Sequence, residues 1–318
     1  MNKISKAFIF SLAIIFVNIS IAQKTFLRND PYKNYKIAQE LFDKEKYSSA
    51  QYYFKDVINN FSNPQDEVRI NAEYYFALCA LKLYHRNVET ILTRFSLDHP
   101  DHPKSKDIYF QLGKHYYQTK KFKKSIEFFE KVDQYDLSSE EQSEYLFKLG
   151  YSKFMKKNLT ESKVLFNELL QSKTDYDVPA TYYYSHIAYA QGKYQTALVG
   201  FRKIANNKMF KPNIPYYITQ ILYQQNKYDE LIAYGPLYID SVTEKRKGEF
   251  AKLIGDSYFK KDQYERSLKY YQTFMRNAKS TRESNYQVGY CYYKTKKYKK
   301  AIESFSRVDN TDDSLTPV

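Results

Sequence analysis

The 318-residue chain has only two cysteines, eight glycines and no tryptophan. It contains no CxxC pair and no glycine-rich loop of the kind that cradles phosphate, so neither thiol redox chemistry nor nucleotide binding is indicated. It has no Gly/Ser-rich linker and no strand-like alternation of polar and apolar residues. His115 and His186 have no serine or cysteine with an acid at a workable spacing. The sequence therefore predicts a chain without enzymatic activity, and it predicts no cofactor.

What the chain does contain is an internal repeat. The segment FQLGKHYYQTKKFKKSIEFFEKVD at 110–133 recurs as YQVGYCYYKTKKYKKAIESFSRVD at 286–309. Gly113 in the first copy aligns with Gly289 in the second, and looser copies occupy the sequence between and before them. Two segments this similar in one chain indicate a repeat architecture.

Each copy predicts a helical hairpin. A small residue is followed three positions later by an aromatic residue on the same helix face, and a lysine-rich turn comes next. After the turn, Ser125, Phe129 and Val132 recur at spacings of four and three, the period of a second amphipathic helix. Gly113 and Ser125 then lie where the two helices cross, so a larger side chain at either position would push the helices apart.

This pattern resembles the tetratricopeptide repeat, a helical hairpin of about 34 residues. The third unit supplies the large and small residues of that pattern: Tyr109, Leu112, Gly113, Tyr116, Phe122, Ser125, Phe129 and Val132. The resemblance implies an all-α fold, a right-handed superhelical solenoid whose first helices line a concave face. We expect eight hairpins in one domain over residues 34–308. Units two and six depart most from the pattern, with Glu89 at a small-residue position and with Pro236 where the second helix should end or kink.

The segments outside the repeats have their own patterns. Residues 1–22 carry two lysines, an apolar run and a small-x-small sequence ending at Ala22, which indicates a cleaved signal peptide. An uncleaved anchor is the alternative, although the apolar run is shorter than the roughly 20 residues that span a bilayer. Residues 23–33 form a polar lead-in, and residues 309–318 form a connector that either ends the array or leads to further repeats. We expect the mature chain in a Gram-negative periplasm or associated with the outer membrane.

The charge of the chain leaves two interpretations. The net charge is +14, and lysines concentrate in hairpin turns such as 120–124 and 296–300. These lysines either form ordinary solvated turns or contact the anionic glycolipid of a cell envelope. An exported protein has little occasion to meet nucleic acid, so no nucleic-acid partner is predicted.

Residues 98–103, DHPDHP, are the strongest candidate for a metal site. Two imidazoles and two carboxylates could bind a divalent metal. The prolines suggest an ordinary connector instead, and no third or fourth ligand is evident, so no metal is predicted. Cys79 and Cys291 lie six repeats apart and are predicted to be small buried residues rather than a disulfide.

Aromatic residues recur on the predicted concave face. The family resemblance places positions 2, 5, 9, 12 and 13 of each first helix there, and positions 5 and 12 share one helix face because they are seven residues apart. These side chains either pack successive repeats together or form a groove that grips a peptide. The candidate partner-binding residues are Phe110, Tyr117, Phe147, Tyr151, Phe154, Tyr182, His186, Tyr189, Tyr216, Tyr223, Tyr286, Tyr290 and Tyr293.

The sequence thus predicts an exported, non-enzymatic scaffold that binds a peptide or protein partner of the cell envelope. A structural subunit of an outer-membrane assembly or secretion complex is one alternative, and a glycan- or glycolipid-binding protein is another. Self-association through the C-terminal end is a further expectation. It rests on the apolar stripe Ile302, Phe305 and Val308, after which no capping helix is predicted.

Overall fold

The computed structural model describes residues 30–170 and 172–308. Across these ranges the chain forms sixteen α-helices and one short 3-10 helix, and no strand occurs in them. The prediction of an all-α repeat fold is therefore confirmed. The predicted signal peptide, most of the lead-in and the C-terminal connector lie outside the described residues. None of the described helices has the length and apolar content needed to cross a membrane.

The chain divides into two compact units, one up to Ser152 and the other from Lys153. In the described part, the first unit holds α1 (Pro31–Asp43), α2 (Tyr47–Asn60), α3 (Glu67–Lys82), α4 (Val88–Asp98), α5 (Pro103–Gln118), α6 (Phe122–Phe129), a 3-10 helix (Gln134–Asp136) and α7 (Ser139–Met155). Helices α1 and α2, α3 and α4, and α5 and α6 pack as hairpins. The division falls near the end of α7.

The second unit continues the same pattern. Its described helices are α8 (Leu159–Leu169), α9 (Asp177–Ala190), α10 (Tyr194–Lys203), α11 (Ile214–Gln224), α12 (Tyr228–Tyr238), α13 (Glu244–Lys260), α14 (Tyr264–Asn277), α15 (Arg282–Lys294) and α16 (Tyr298–Phe305). Four hairpins follow α8 in this unit, and the second helix of each hairpin packs on the first helix of the next. The single continuous domain over 34–308 stays a prediction.

Helix α1 begins at Pro31, earlier than the predicted start at Asn34. The carboxylate of Asp30 accepts hydrogen bonds from the backbone N–H groups of Tyr32 at 3.0 Å and Lys33 at 3.4 Å. Pro31 occupies the first turn, where its missing N–H leaves no helix bond unmade. The predicted lead-in therefore contains the cap and first turn of α1.

The turn inside each helix pair closes on a residue with a left-handed backbone. In the third hairpin this residue is Lys120, with φ +57°. Its N–H donates to the Tyr117 carbonyl at 3.0 Å, and the N–H of Lys121 donates to the Tyr116 carbonyl at 2.8 Å. These bonds satisfy carbonyl groups at the C-terminus of α5. The same conformation follows the other first helices, at Glu45, Tyr84, Lys157, Gly192, Asn226, Asp262 and Lys296.

The helices of a hairpin cross closely at the small residues that the sequence analysis singled out. A Cβ atom on Gly113 would lie 2.5 Å from the ring of Phe129, and one on Gly289 would lie 2.7 Å from Phe305. The hydroxyl of Ser125 donates to the Gly113 carbonyl at 3.0 Å. The glycine therefore leaves room for the ring, and the serine ties the two helices together at that level.

Successive hairpins are joined by stacked rings. A tyrosine on the first helix of one hairpin stacks on a phenylalanine from the second helix of the hairpin before it. The pairs are Phe54–Tyr75 at 5.5 Å, Phe166–Tyr183 at 5.7 Å and Phe201–Tyr217 at 5.0 Å between ring centroids. Stacked aromatic pairs of this kind contribute about 0.5–1.5 kcal/mol each beyond the area they bury.

The two atypical units keep the hairpin architecture. The Glu89 carboxylate accepts hydrogen bonds from the Lys124 ammonium at 2.6 Å and from the Tyr116 hydroxyl. These two partners, Lys124 first, hold the pKa of Glu89 below its usual value. In the sixth hairpin, α12 continues through Pro236 and ends only at Tyr238, so the helix does not stop at the proline.

The C-terminal stripe and the cysteines are mostly packed. Val308 is buried and Phe305 is partly buried against its hairpin partner, so Ile302 is the one residue of the three that stands exposed. The extended apolar patch expected to drive self-association is therefore absent from the described part of this helix.

Cys79 and Cys291 are free and buried, and burial raises the pKa of each thiol to about 12.

Candidate partner-binding surface

The candidate residues lie on one side of the first helix of each pair, called here the first-helix face. It comprises Phe110 and Tyr117 on α5, Phe147, Tyr151 and Phe154 on α7, Tyr182, His186 and Tyr189 on α9, Tyr216 and Tyr223 on α11, and Tyr286, Tyr290 and Tyr293 on α15. Their burial and contacts differ, and this difference separates side chains that pack from those that a partner can reach.

Two of the candidates in the first unit are packing residues. Phe110 has no exposed surface and lies 6.1 Å from the ring of Phe129. The ammonium of Lys114 lies 4.7 Å from the centre of the Phe110 ring. Phe147 is also buried, and its ring stacks on that of Tyr151 at 6.3 Å. Neither phenylalanine offers a surface to a partner.

The rest of the first-helix face in this unit combines rings and paired charges. Tyr117 lies 5.6 Å from Tyr151, and the Lys148 ammonium lies 5.5 Å from the Tyr117 ring. Glu144 pairs with Lys114 at 3.0 Å and also with Lys148. Burial raises the pKa of Glu144, but the two ammonium groups outweigh it and leave the pKa below its usual value. One carboxylate thus offsets one of the two ammonium charges within the face.

In the second unit the rings converge on Tyr217. His186 lies 5.3 Å and Tyr189 5.6 Å from the Tyr217 ring. Tyr182 stacks on Phe210 at 4.2 Å with an angle of 14° between the rings. Each of the three candidates on α9 is partly buried rather than fully enclosed. The result is a continuous aromatic cluster on α9 and α11 that keeps part of its surface in solvent.

Tyr217 is a residue that the sequence analysis missed. It lies one position after the aromatic position 5, where Tyr75 and Tyr183 stand in the second and fifth hairpins. All three stack on the preceding hairpin. Recurrence of tyrosine at this position was the available signal, but a pattern taken from positions 5, 9 and 12 overlooks it.

Polar groups line the side of the cluster that faces α13. The guanidinium of Arg246 lies 4.5 Å from the Tyr216 ring and 5.1 Å from the Tyr217 ring. The amide of Gln220 donates to the Tyr216 hydroxyl at 3.0 Å and to the Glu249 carboxylate at 2.9 Å. Cation–π contact and these hydrogen bonds hold the rings in fixed orientations. Arg246 lies before the face on α13, and the aromatic pattern gave no sign of it. Glu249 lies at position 2 of that helix, which the family resemblance places on the concave face.

His186 is held neutral by its surroundings. Burial lowers its pKa, and the nearby positive charge of Arg246 lowers it further. Its Nδ1 atom is enclosed and has no hydrogen-bond partner among the described residues. This histidine therefore serves as an aromatic packing element at neutral pH.

The remaining candidates become more exposed along the chain. Tyr223 is partly buried beside Tyr228 at 5.7 Å, and burial raises its pKa to about 12. Tyr286 stacks on Tyr290 at 6.4 Å. Tyr293 is 54% exposed, the most open of the candidate side chains. Tyr293 therefore has more surface available to a partner than the partly buried Tyr182 and Tyr223 do.

Position 9 is less of a surface position than the sequence analysis assumed. On α13 it is Asp256, which is 3% exposed. Its carboxylate accepts a hydrogen bond from the buried Tyr271 hydroxyl at 2.7 Å and pairs with Lys252 at 2.7 Å. Leu78 on α3 is also buried. Variation at position 9 thus partly reflects the packing partners of each hairpin.

Comparison with known proteins agrees with this geometry. Two family models described as tetratricopeptide repeat match residues 106–138 and 252–314, which include the two hairpins whose sequences recur. The chain is a tetratricopeptide repeat protein. Solved structures resemble it at low identity. No curated protein matches the chain.

Three of these structures illustrate the level of likeness. They are MamA from Desulfovibrio magneticus RS-1 (15% identity, 52% of this chain and 92% of that chain, TM-score 0.44), a tetratricopeptide repeat protein from Parabacteroides merdae (11%, 82% and 98%, TM-score 0.46) and PilF from Pseudomonas aeruginosa (13%, 67% and 95%, TM-score 0.47). At these values the likenesses carry no inference about function.

The histidine-containing connector of this tetratricopeptide repeat protein binds to the preceding hairpin. The Nε2 atom of His99 lies 2.7 Å from the Glu73 carboxylate. His102 caps α5, since its Nδ1 accepts the N–H of Lys104 at 3.2 Å, and its Nε2 lies 3.4 Å from Glu67. Within 30–170 and 172–308, no group of three or more His, Cys, Asp or Glu side chains is arranged to hold a metal.

The lysine-rich turns of the tetratricopeptide repeats are partly engaged within the protein. Lys124 pairs with Glu89, and Lys121 lies 5.9 Å from the Tyr116 ring. In the last hairpin, Lys300 lies 5.8 Å from the Tyr292 ring. Contact of these turns with glycolipid stays a prediction.

Proposed function

We propose that this tetratricopeptide repeat protein is a non-enzymatic scaffold of the bacterial cell envelope. It binds an extended peptide segment of a protein partner, and the binding surface is the first-helix face of its second unit. Proteins built from this repeat generally bind protein partners and lack catalytic activity, which supports the general role. The envelope location rests on the N-terminal sequence pattern alone.

The observation that carries the proposal is the aromatic cluster of α9 and α11. Its rings are fixed from beneath by Tyr217 and from the side by Arg246, while Tyr189, Tyr216 and Tyr223 keep part of their surface in solvent. Rings that are already held in place lose little conformational freedom on binding, so they make effective anchors. Tyrosine is also among the residues most enriched at the energetic centres of protein interfaces.

The polar groups beside the rings suit an extended chain. Gln220 and Glu249 offer an amide and a carboxylate next to the Tyr216 hydroxyl. A peptide backbone carries an N–H and a carbonyl on nearly every residue, and it can bond to such groups while its side chains contact the rings. Packed tyrosines without polar neighbours would not provide this combination.

The test begins with partner capture by the mature chain from an envelope extract, followed by affinity measurement with the purified partner. We expect Tyr223→Ala to weaken binding about 30-fold, the equivalent of about 2 kcal/mol for an aromatic anchor. Tyr52→Ala is the matched control, since Tyr52 is 71% exposed but lies on the second helix α2. It should leave the affinity unchanged.

Two results would contradict the proposal. Equal effects of the two tyrosine substitutions would show that the first-helix face is not the binding surface. Mass spectrometry of the native protein should find Gln23 at the N-terminus. If it finds an intact Met1 in a membrane fraction instead, this result would contradict cleavage and export as a periplasmic protein.

A further inference from the structure

A second potential binding site lies on a different side of α9 from the first-helix face. An open surface cavity of about 420 Å³ is lined by residues of α9 and α10 and by Leu170 at the end of α8, with Tyr184 and Val199 among its walls. Its volume falls within the roughly 300–1,000 Å³ typical of small-molecule sites. It is lined entirely by residues of the second unit, and nothing in the proposed function uses it.

The fifth hairpin, whose helices line the cavity, lacks a pair of rings that two other hairpins have. In the third hairpin, Tyr116 and Phe128 stack at 5.5 Å, and in the seventh hairpin Tyr258 and Tyr270 stack at 5.6 Å. The repeat places Ala188 and Gly200 at these two positions in the fifth hairpin. With no rings to separate them, the helices approach so closely that a Cβ atom on Gly200 would overlap the Ser185 hydroxyl.

The walls of the cavity are mostly apolar, and the hydroxyl groups of Thr181 and Ser185 among them are already bonded. The Ser185 hydroxyl donates to the Thr181 carbonyl at 2.7 Å, and the Thr181 hydroxyl donates to Asp177 at 3.3 Å. A polar group inside this space would lose its hydrogen bonds to water without replacement. The part of a ligand that enters must therefore be apolar.

Two lysines lie beside the cavity, Lys203 in its lining and Lys163 next to the lining residue Tyr184. The Lys163 ammonium lies 5.0 Å from the Tyr184 ring and donates to the Gln191 amide oxygen at 3.1 Å. Across 30–170 and 172–308 it has no carboxylate partner, and burial together with the nearby Lys193 lowers its pKa. Lys203, on the other side, is neutralised by Asp177 at 3.2 Å. An anionic group beside Lys163 would relieve this unpaired charge.

We propose that this cavity binds the alkyl chain of an anionic amphiphile, a single-chain carboxylate, with its headgroup beside Lys163 at the rim. The apolar walls accept the chain, and the uncompensated ammonium selects the negative headgroup. The proposal does not depend on the partner-binding surface. Peptide binding and amphiphile binding can therefore fail or succeed separately.

The experiment is isothermal titration of the mature chain with sodium dodecanoate below its micelle concentration. We expect saturable binding of one dodecanoate per chain. Decanoate should bind about tenfold more weakly because it buries two fewer methylene groups. Dodecyltrimethylammonium, which has the same chain and the opposite charge, should bind at least about fivefold more weakly than dodecanoate.

Matched variants locate the site. Val199→Trp should fill the cavity and weaken dodecanoate binding at least about tenfold. Val164→Trp should change it less than about twofold, because Val164 does not line the cavity. It has the same repeat position on α8 and a similar exposure, 58% against 61%. Lys163→Gln should weaken dodecanoate binding about fivefold and leave binding of uncharged dodecanol unchanged.

A measurement on the unmodified chain guards against misfolding of a variant. In methyl NMR spectra, dodecanoate should shift the Val199 signals and leave the Val164 signals in place. Four results would overturn the proposal: no saturable binding, equal affinity for the cationic amphiphile, unchanged binding by folded Val199→Trp, or equal shifts at the two valines.

Discussion

The buried pair Tyr271–Asp256 allows a sharp test of which first-helix residues serve packing. Tyr271 has no exposed surface, and its hydroxyl donates to the Asp256 carboxylate at 2.7 Å. Most other hairpins carry phenylalanine at the position of Tyr271, and none of those carries aspartate at the position of Asp256. Burial, followed by the charge of Asp256, raises the pKa of the tyrosine, so its hydroxyl stays protonated as a donor.

The magnitude follows from the kind of hydrogen bond. A bond to a charged acceptor contributes about 1.5–3 kcal/mol to the free energy of unfolding. Tyr271→Phe should therefore cost about 2 kcal/mol, which corresponds to a Tm decrease of about 4–8 °C for a unit of this size. Asp256→Leu, which introduces the residue found at Leu78 in the second hairpin, should cost about 1–3 kcal/mol because it leaves the tyrosine hydroxyl unpaired.

The double variant is the decisive measurement. With both partners replaced by apolar groups, no buried polar atom of the pair is left unsatisfied, and Lys252 is exposed enough to be solvated. We expect the double variant to lose at least about 1 kcal/mol less than the sum of the single losses. Urea denaturation combined with hydrogen exchange of the α14 amides measures this locally. Strictly additive losses would refute the coupling.

Three further predictions concern turns, crossings and pH. Residues 120 and 192 both have positive φ. Lys120→Gly should therefore stabilise the third hairpin by about 0.5–1 kcal/mol, and Gly192→Ala should destabilise the fifth hairpin by a similar amount. Changes of the opposite sign in the free energy of unfolding, measured by urea denaturation, would contradict this. Gly113→Ala should cost about 1–3 kcal/mol through overlap with the Phe129 ring and should be partly rescued by Phe129→Leu, whereas an unrescued loss would exclude that overlap. The pKa of His186 is lowered in the folded state, so its contribution to stability is present above the ordinary pKa of about 6.5 and is lost as the pH falls below that value. His186→Gln should therefore flatten the dependence of Tm on pH between about 7 and 5. Identical pH profiles for the two proteins would rule this out.

The repeat pattern alone predicted much of the local architecture. Spacings of three and four residues around Gly113 and Ser125 describe a hairpin because helical periodicity is a local property of the chain. A glycine facing a large ring is likewise visible in the sequence of a single hairpin, and the distances at Gly113 and Gly289 agree with it. The start of α1 was misplaced because a cap at Asp30 and a proline at Pro31 extend the helix without any apolar signal.

Tertiary structure decided which aromatic residues face inward. Phe110 and Tyr293 fit the same aromatic pattern, yet one is fully buried and the other is 54% exposed. Their burial depends on what the second helix of the hairpin supplies. Phe110 packs against the buried Phe129, whereas Tyr293 lies 6.1 Å from Tyr298, which is itself exposed. A periodicity within one helix carries no information about the next.

The same limit applies to the polar groups and the cavity. The sequence by itself determined the helical hairpins, since each depends on residues within about 34 positions of one another. Tertiary structure alone placed Arg246 over Tyr216 and formed the cavity beside Gly200. Both features arise where side chains of different helices meet, and their contacts depend on the exact approach of packed helices rather than on any local pattern.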